Sequence, residues 1–226
     1  MNQGILAAAG DYILMISAHC YPVHDNWIAE MTRPFVDPKV ALVYGKQEGN
    51  EVSRYSETRL MKQWFPSTSF SRQKSPFCNN ANSAIPKKLW EEMKYNEELT
   101  GLEDLDWAQK TIEKGFHLYY NADASIIHVH EEGFKQIYNR YRREAITLKQ
   151  IYKEASFSLW DFVSLSAANI SSDLMAAKSE RAFLKFFSEI FLFRLCQFWG
   201  TFQGYRLSKN ISPDLRERFY YPPSRD

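Results

Sequence analysis

Apolar positions along the chain follow two different periods, and the change from one to the other organises it. Up to about Tyr152, short apolar runs alternate with longer segments in which apolar residues recur at three-to-four spacing, the pattern of strands interleaved with helices. Tyr12–Ser17 (YILMIS) is a continuous apolar run bounded by Asp11 and by Ser17-Ala18-His19, as expected of a buried, parallel strand. Val40–Tyr44, Phe77–Ile85, Leu118–Tyr120 and Ser125–His130 read as further strands. Helical spacing is carried by Asp25–Phe35, with Trp27, Ile28 and Met31 on one side, and by Leu102, Leu105, Ala108 and Ile112, after which Gly115 supplies a stop. A helix also opens at Pro86, where a missing amide costs nothing. Met1–Ala9 reads as the last turns of a helix, with Gly10 able to take the left-handed conformation that ends one.

The second part of the chain has only helical spacing. Gly133–Tyr152 mixes aromatics with bases, among them Arg140, Arg142 and Arg143. Leu174–Tyr205 reads as one long helix whose polar stripe at Lys178, Arg181, Lys185 and Glu189 gives way to FLFRLCQFWGTFQGY. So much apolar surface needs a cover. Packing against its own domain is the first expectation; another subunit or a bilayer surface would also serve, the latter favoured by basic flanks and interfacial aromatics. The tail from Ser208 is polar and expected to fray. Glu51–Ser75 is polar, broken by Met61, Trp64 and Phe65, and reads by composition as a surface excursion. Two parts are expected, 1–152 and a helical C-terminal extension 153–226.

Composition changes this picture little. With 226 residues the chain is long enough for a substantial core. A net charge of +1 argues against nucleic acid as a partner, since such proteins carry a marked excess of Lys and Arg. Cys20, Cys78 and Cys196 are widely spaced and odd in number, suggesting neither a disulfide framework nor a zinc-cysteine site and fitting a reducing cytoplasm. Ile5–Ala9 is too short for a secretory leader, and no segment reaches the roughly 18 apolar residues of a spanning helix.

Candidate chemistry concentrates between Phe77 and Lys110, FCNNANSAIPKKLWEEMKYNEELTGLEDLDWAQK. Glu103, Asp104 and Asp106 crowd the first turn of one helix. The partial positive charge of unsatisfied amides favours them there, which is a purely structural account. In the functional account, a helix-mounted carboxylate beside the amides of Asn79, Asn80 and Asn82 is placed to act as a general base. In SIIHVH, strand alternation puts His128 and His130 on one face. A metal-dependent hydrolase using His19, His24, His128 and His130 is a weaker rival, because no His-Glu-x-x-His or comparable ligand spacing is present.

The string LEDLDWA, following a strand that ends NNANSAIPK, resembles the Glu-Asp motif of inverting family 2 glycosyltransferases of the GT-A fold, especially those that build bacterial surface polysaccharides. The likeness runs from about Asn2 to about Arg143. It implies an α/β, GT-A-like, partial Rossmann-like mixed sheet flanked by helices, and a hexosyl or rhamnosyl transferase acting on a nucleotide-sugar donor and a glycan or lipid-linked acceptor. Asp104 becomes the base that deprotonates the acceptor hydroxyl, with Glu103 orienting it. Gln47, Asn80, Asn82 and Trp107 are the substrate-binding candidates, Gln47 because YGKQ resembles the turn on the acceptor side and Trp107 as a wall; a strand exit and a core tryptophan are the plain alternatives.

The family carries an Asp-x-Asp motif at the first strand end, where this chain has Ser17, Ala18 and His19. His19, with His128 or His130 as the family's late histidine, is therefore the candidate holder of a divalent metal, Mn2+ or Mg2+; loop and surface histidines without a ligand are the alternative. The arginines after Gly133 suit diphosphate oxygens. The family also has βα units that bind the nucleotide ahead of the strand at Tyr12, and the resemblance implies that this chain lacks them. A catalytically inactive remnant acting as an interaction module is the second functional reading. The location implied is cytoplasmic, with peripheral contact at the inner membrane face or a homo-oligomer formed through the C-terminal helix.

Overall fold

A computed structural model describes residues 1–207, so the expectation for the polar tail lies outside the described residues. The chain forms an α/β unit, made of Met1–Ser53, Glu57–Asn96 and Glu103–His130, and a second, helical unit to which Arg54–Ser56, Glu97–Leu102 and the described residues from Glu131 to Leu207 belong.

The α/β unit holds a six-stranded mixed sheet: β1 (Tyr12–Ile16), β2 (Cys20–Pro22), β3 (Val40–Glu48), β4 (Phe70–Gln73), β5 (Asn82–Pro86) and β6 (His117–His128). The order is β1-β5-β3-β6-β2, and β4 also pairs with β6. Only β3 and β6 run parallel; β1 pairs antiparallel with β5, Ile16 facing Asn82, and β2 antiparallel with β6, Cys20 facing His128. The expectation that Tyr12–Ser17 is a buried, parallel strand is corrected here. β1 pairs with β5 alone among the described residues, and Tyr12 and Ile16 are 42% and 41% exposed. A short apolar run has no periodicity with which to distinguish a central strand from a marginal one.

The strands expected at 118–120 and 125–130 are one twelve-residue strand, β6, because its partner β3 continues past Tyr44 to Glu48 with a register shift between Gly45 and Gln47. That irregularity hides the continuity from any reading of alternation. Apolar layers cover the sheet. One is built on Ile5, Met61, Phe65, Trp90 and Trp107 against Leu42, Tyr44 and Leu118. The other is built on Trp27, Met31 and Phe35 against Val43, Ala84 and Ile126.

The helices of this unit are α1 (Asn2–Ala7), α2 (Trp27–Thr32) with a 3-10 turn over Arg33–Val36, α3 (Tyr55–Trp64), α4 (Lys87–Glu92) and α5 (Glu103–Glu113), the first residues of α3 counting with the other unit. Gly10 is not the left-handed end of α1, which stops at Ala8 in an extended conformation. Leu102, expected on the helical stripe, instead precedes α5 at φ +53°, after Gly101 at φ +154°. Pro86 caps α4 rather than starting it.

The helical unit contains α6 (Phe134–Ile151), α7 (Leu159–Ser179) and α8 (Phe183–Leu207). The single helix expected over 174–205 is broken at Glu180–Ala182, where Arg181 takes φ +58°, so α7 and α8 form an antiparallel hairpin with Phe162 edge-on to Trp199 and Asp173 bonded to Arg194. A capping box at Ser158 and Asp161 starts α7. Gly200 and Gly204 lie one turn apart on α8, and a side-chain carbon on either would meet the backbone of Tyr138 or Arg142, so α8 lies close against α6. The expected self-packing of the aromatic helix is found for Ile190, Phe193 and Phe202, while Leu184 and Trp160 stay 90% and 75% exposed. No helix among the described residues is long and apolar enough to cross a membrane.

Candidate active site

The sheet brings several of the candidate residues to one end. With Ile16 opposite Asn82, Gln47 beside Ile126 and Cys20 opposite His128, the loops after β1, β3 and β6 and the loop before β5 all leave the same margin. Ligands are expected at such strand ends, where loops are free to present polar groups without breaking the ladder.

Asp104 stands at the head of α5. Its carboxylate accepts the Asn80 amide N–H at 2.9 Å and the Leu105 amide N–H at 2.9 Å. The Asn80 loop is held to the end of β1 in turn, since the Ser17 N–H donates to Ala81 O at 3.3 Å. The Asp104 side chain is largely withdrawn from water, and this burial, only partly offset by the amide from Asn80, pushes its carboxyl up to about 6. Glu103, half-buried beside it, adds to the rise. A helix start therefore does not explain Asp104 completely: the dipole favours the anion, yet desolvation outweighs it.

Three imidazoles and a thiol gather a short way along the same margin. His19 is exposed on the loop after β1, and its Nε2 lies 2.9 Å from Nε2 of buried His128. The His128 ring centre is 4.1 Å from that of His130, and His19 lies 5.3 Å from His130. His130 Nδ1 faces the buried carboxylate of Glu57 at 2.7 Å. His128 Nδ1 faces Gln47 Oε1 at 2.6 Å; an amide oxygen only accepts, so the proton sits on Nδ1 and the Nε2 lone pair points to His19. Gln47 thus orients an imidazole, and its own Nε2 is buried without a hydrogen-bond partner among the described residues. His24 is exposed and lines a separate cleft of about 530 Å³ with Glu30, Lys46 and Asp123, so the hydrolase set does not come together.

Two substrate-binding candidates occupy interior positions. Asn82 is fully buried, donates to Ala124 O at 2.8 Å and Lys46 O at 3.1 Å, and accepts Trp27 Nε1–H at 3.0 Å, so every polar atom of its side chain braces the sheet. Trp107 has no exposure, donates to Met93 O and packs on Tyr95. The Asn82 amide and the Trp107 indole are both engaged in the interior, the placement that the core alternative for Trp107 expects. Gly45 makes the Asn82 brace possible, because any side chain there would collide with Ala124 O and the Asn82 amide. The sequence offered no sign of this, nor of Glu57 or Cys20, whose neighbours are remote along the chain.

The donor set can be tested against the implied ion. The donor atoms of His19, Cys20 and His128 lie within 4.8 Å of one another. Two nitrogens and a sulfur without a carboxylate do not suit Mg2+ or Mn2+, which favour oxygen ligands. His19, Cys20 and His128 by themselves therefore do not make a cage for Mn2+ or Mg2+, while His130, the third expected ligand, faces the Glu57 carboxylate instead. Burial pushes the Cys20 thiol up to about 11.

No protein-family model matches the chain, and no curated protein sequence matches it. Among solved structures it matches the mannosyltransferase PcManGT from Pyrobaculum calidifontis, in complex with GDP-Man and Mn2+, at 17% identity and a TM-score of 0.53. The match covers 99% of this chain, which spans 66% of the length of that one. The likeness shows a glycosyltransferase fold.

Proposed function

We propose that the chain serves an inverting, family 2-type sugar transfer, from a hexosyl or rhamnosyl nucleotide-diphosphate donor to a hydroxyl of a glycan or lipid-linked acceptor. The observation that carries this reading is the Asp104 carboxylate: mounted on a helix start, fixed by two backbone amides, held near pKa 6, and set at the strand margin that bears the histidines. A base with that pKa is ionised at neutral pH and still takes a proton readily. Asp104 would remove the acceptor hydroxyl proton as the oxygen attacks the anomeric carbon from the face opposite the departing diphosphate. Glu103 would orient the acceptor, and Asn80, whose main-chain N–H aims the carboxylate, would line its approach. The cleft of about 270 Å³ lined by Gln47, Glu48, Thr58, Met61 and Lys62 offers mixed polar and apolar walls of the kind a sugar needs.

The same reading places the chain at the inner face of the cytoplasmic membrane. Exposed Trp160, Leu184, Phe187 and Phe191 on the hairpin support that contact or a homo-oligomer. The 1–152 segment would be catalytic and 153–226 the extension. The fold match to a nucleotide-sugar enzyme supports the donor class.

Calorimetric titration with nucleotide sugars, starting with GDP-mannose, and a transfer assay on lipid-linked acceptors test the proposal. Asp104→Asn is expected to lower transfer by about 10²–10⁴-fold while donor affinity is kept. Transfer by the unaltered chain should rise with pH through about 6 and then level, because Asp104 must be ionised to accept a proton. Donor binding with a pH-independent rate, or unchanged transfer by Asp104→Asn, removes the base from the mechanism.

A further inference from the structure

The mismatch between the implied ion and the donors points elsewhere. His19, Cys20 and His128 come from two paired strands and one loop: Cys20 lies directly opposite His128 in the β2–β6 ladder, and His19 O accepts the Val129 N–H at 3.2 Å, fixing the loop that carries the first imidazole. Cross-strand opposition sends both side chains to the same face. Gln47 fixes the tautomer of His128 so that Nε2 carries its lone pair towards His19, the outer hydrogen bond that ligating histidines commonly make. Among the described residues the Gln47 Nε2 has no hydrogen-bond partner, so the contact that holds this amide is the one made through its oxygen.

We propose that the chain binds a zinc-class ion, with His19, His128 and the Cys20 thiolate as its three protein ligands. Thiolate and imidazole select borderline transition ions over Mg2+ and Mn2+. Three protein ligands leave one position open, as in catalytic rather than structural zinc sites. Binding releases the Cys20 proton, moves the His19 proton that lies between the two facing nitrogens to His19 Nδ1 through solvent, and forms one metal–sulfur and two metal–nitrogen bonds. The inference deepens the transfer reading and rests on it only for the use of the ion, a Lewis acid beside a diphosphate.

The test uses the full chain freed of metal with a chelator and titrated calorimetrically with Zn2+, Co2+, Mn2+ and Mg2+ in turn. One Zn2+ per chain is expected, bound at least about a hundredfold more tightly than Mn2+. The Co2+ form should show a thiolate-to-metal charge-transfer band in the near ultraviolet. Cys20→Ser should abolish that band and weaken Zn2+ binding at least about tenfold, and Gln47→Leu should weaken it about 10–100-fold with the band retained. Far-ultraviolet circular dichroism checks that both variants fold, and the band of the unaltered chain decides the matter even where a variant does not. A Co2+ form without the charge-transfer band, or Mn2+ bound as tightly as Zn2+, overturns the inference. GDP-mannose titration of the same samples separates the two proposals: zinc binding without donor binding supports the metal site and counts against the transfer reading.

Discussion

Asp173 in the helical unit is buried and Asp104 in the α/β unit is half-buried, but their partners differ in kind. Asp173 accepts Arg194 Nε–H at 2.8 Å and Ser56 Oγ–H at 2.6 Å, and Arg194 also donates to Gln197 Oε1 at 2.8 Å. Its charge is matched by a cation from the facing helix, and the arrangement is closed. Among the described residues Asp104 accepts from backbone amides, and burial raises its affinity for a proton. A buried carboxylate paired with a cation fixes the register of two helices. One left with amides alone keeps chemistry in reserve, at a cost in stability.

The comparison breaks most sharply at Arg194. Arg194→Ala takes the guanidinium away from the buried Asp173 carboxylate and is expected to lower the stability of the chain by about 3–5 kcal/mol in urea unfolding. Replacing both partners by apolar residues of similar volume should restore most of it. A loss below about 1 kcal/mol for the single variant would show that Asp173 is not held by its charge partner. Gly45→Ala comes next: the methyl group must displace Ala124 O or the Asn82 amide, at roughly 1–3 kcal/mol, with a matching fall in melting temperature.

Asp104→Asn sharpens the contrast from the other side. Because its folded pKa of about 6 lies above the ordinary 3.8, Asp104 contributes stability that is fully present below about 3.8 and is lost as pH rises through about 6. At pH 8 the ionised group is a net burden of roughly 2 kcal/mol, after allowance for partial screening by solvent. Asp104→Asn should therefore unfold at higher urea concentration than the unaltered chain at pH 8 and lose that advantage at pH 3.5. A variant less stable at pH 8 would mean that the carboxylate is structural after all. The smallest effect is expected at Leu102, whose positive φ strains a branched residue at the start of the Asp104 helix: Leu102→Gly should recover about 1 kcal/mol of that strain, less whatever packing the side chain supplies.

Much of the architecture is legible in local pattern. The strand-helix alternation, the Glu103-Asp104 helix and the helical character of the aromatic C-terminal part announce themselves through apolar spacing, because one buried face must repeat with the period of its own backbone. What local pattern leaves open is which polar residues face a cleft. Asn80 and Asn82 are two positions apart, yet one loop aims its N–H at Asp104 while the other side chain locks three strands together. Trp107 and Asp104 share a helix and point to the core and to the site margin respectively.

The order of apolar and polar residues alone set the α/β class, the helical extension and the placing of Asp104 on a helix start. Each of these depends on neighbours within a turn or a strand. The antiparallel pairing of β1, the break at Arg181 and the meeting of His19 and Cys20 with His128 were decided only in three dimensions. Contacts between residues remote along the chain are selected by the packing of the whole fold, and no local spacing encodes them.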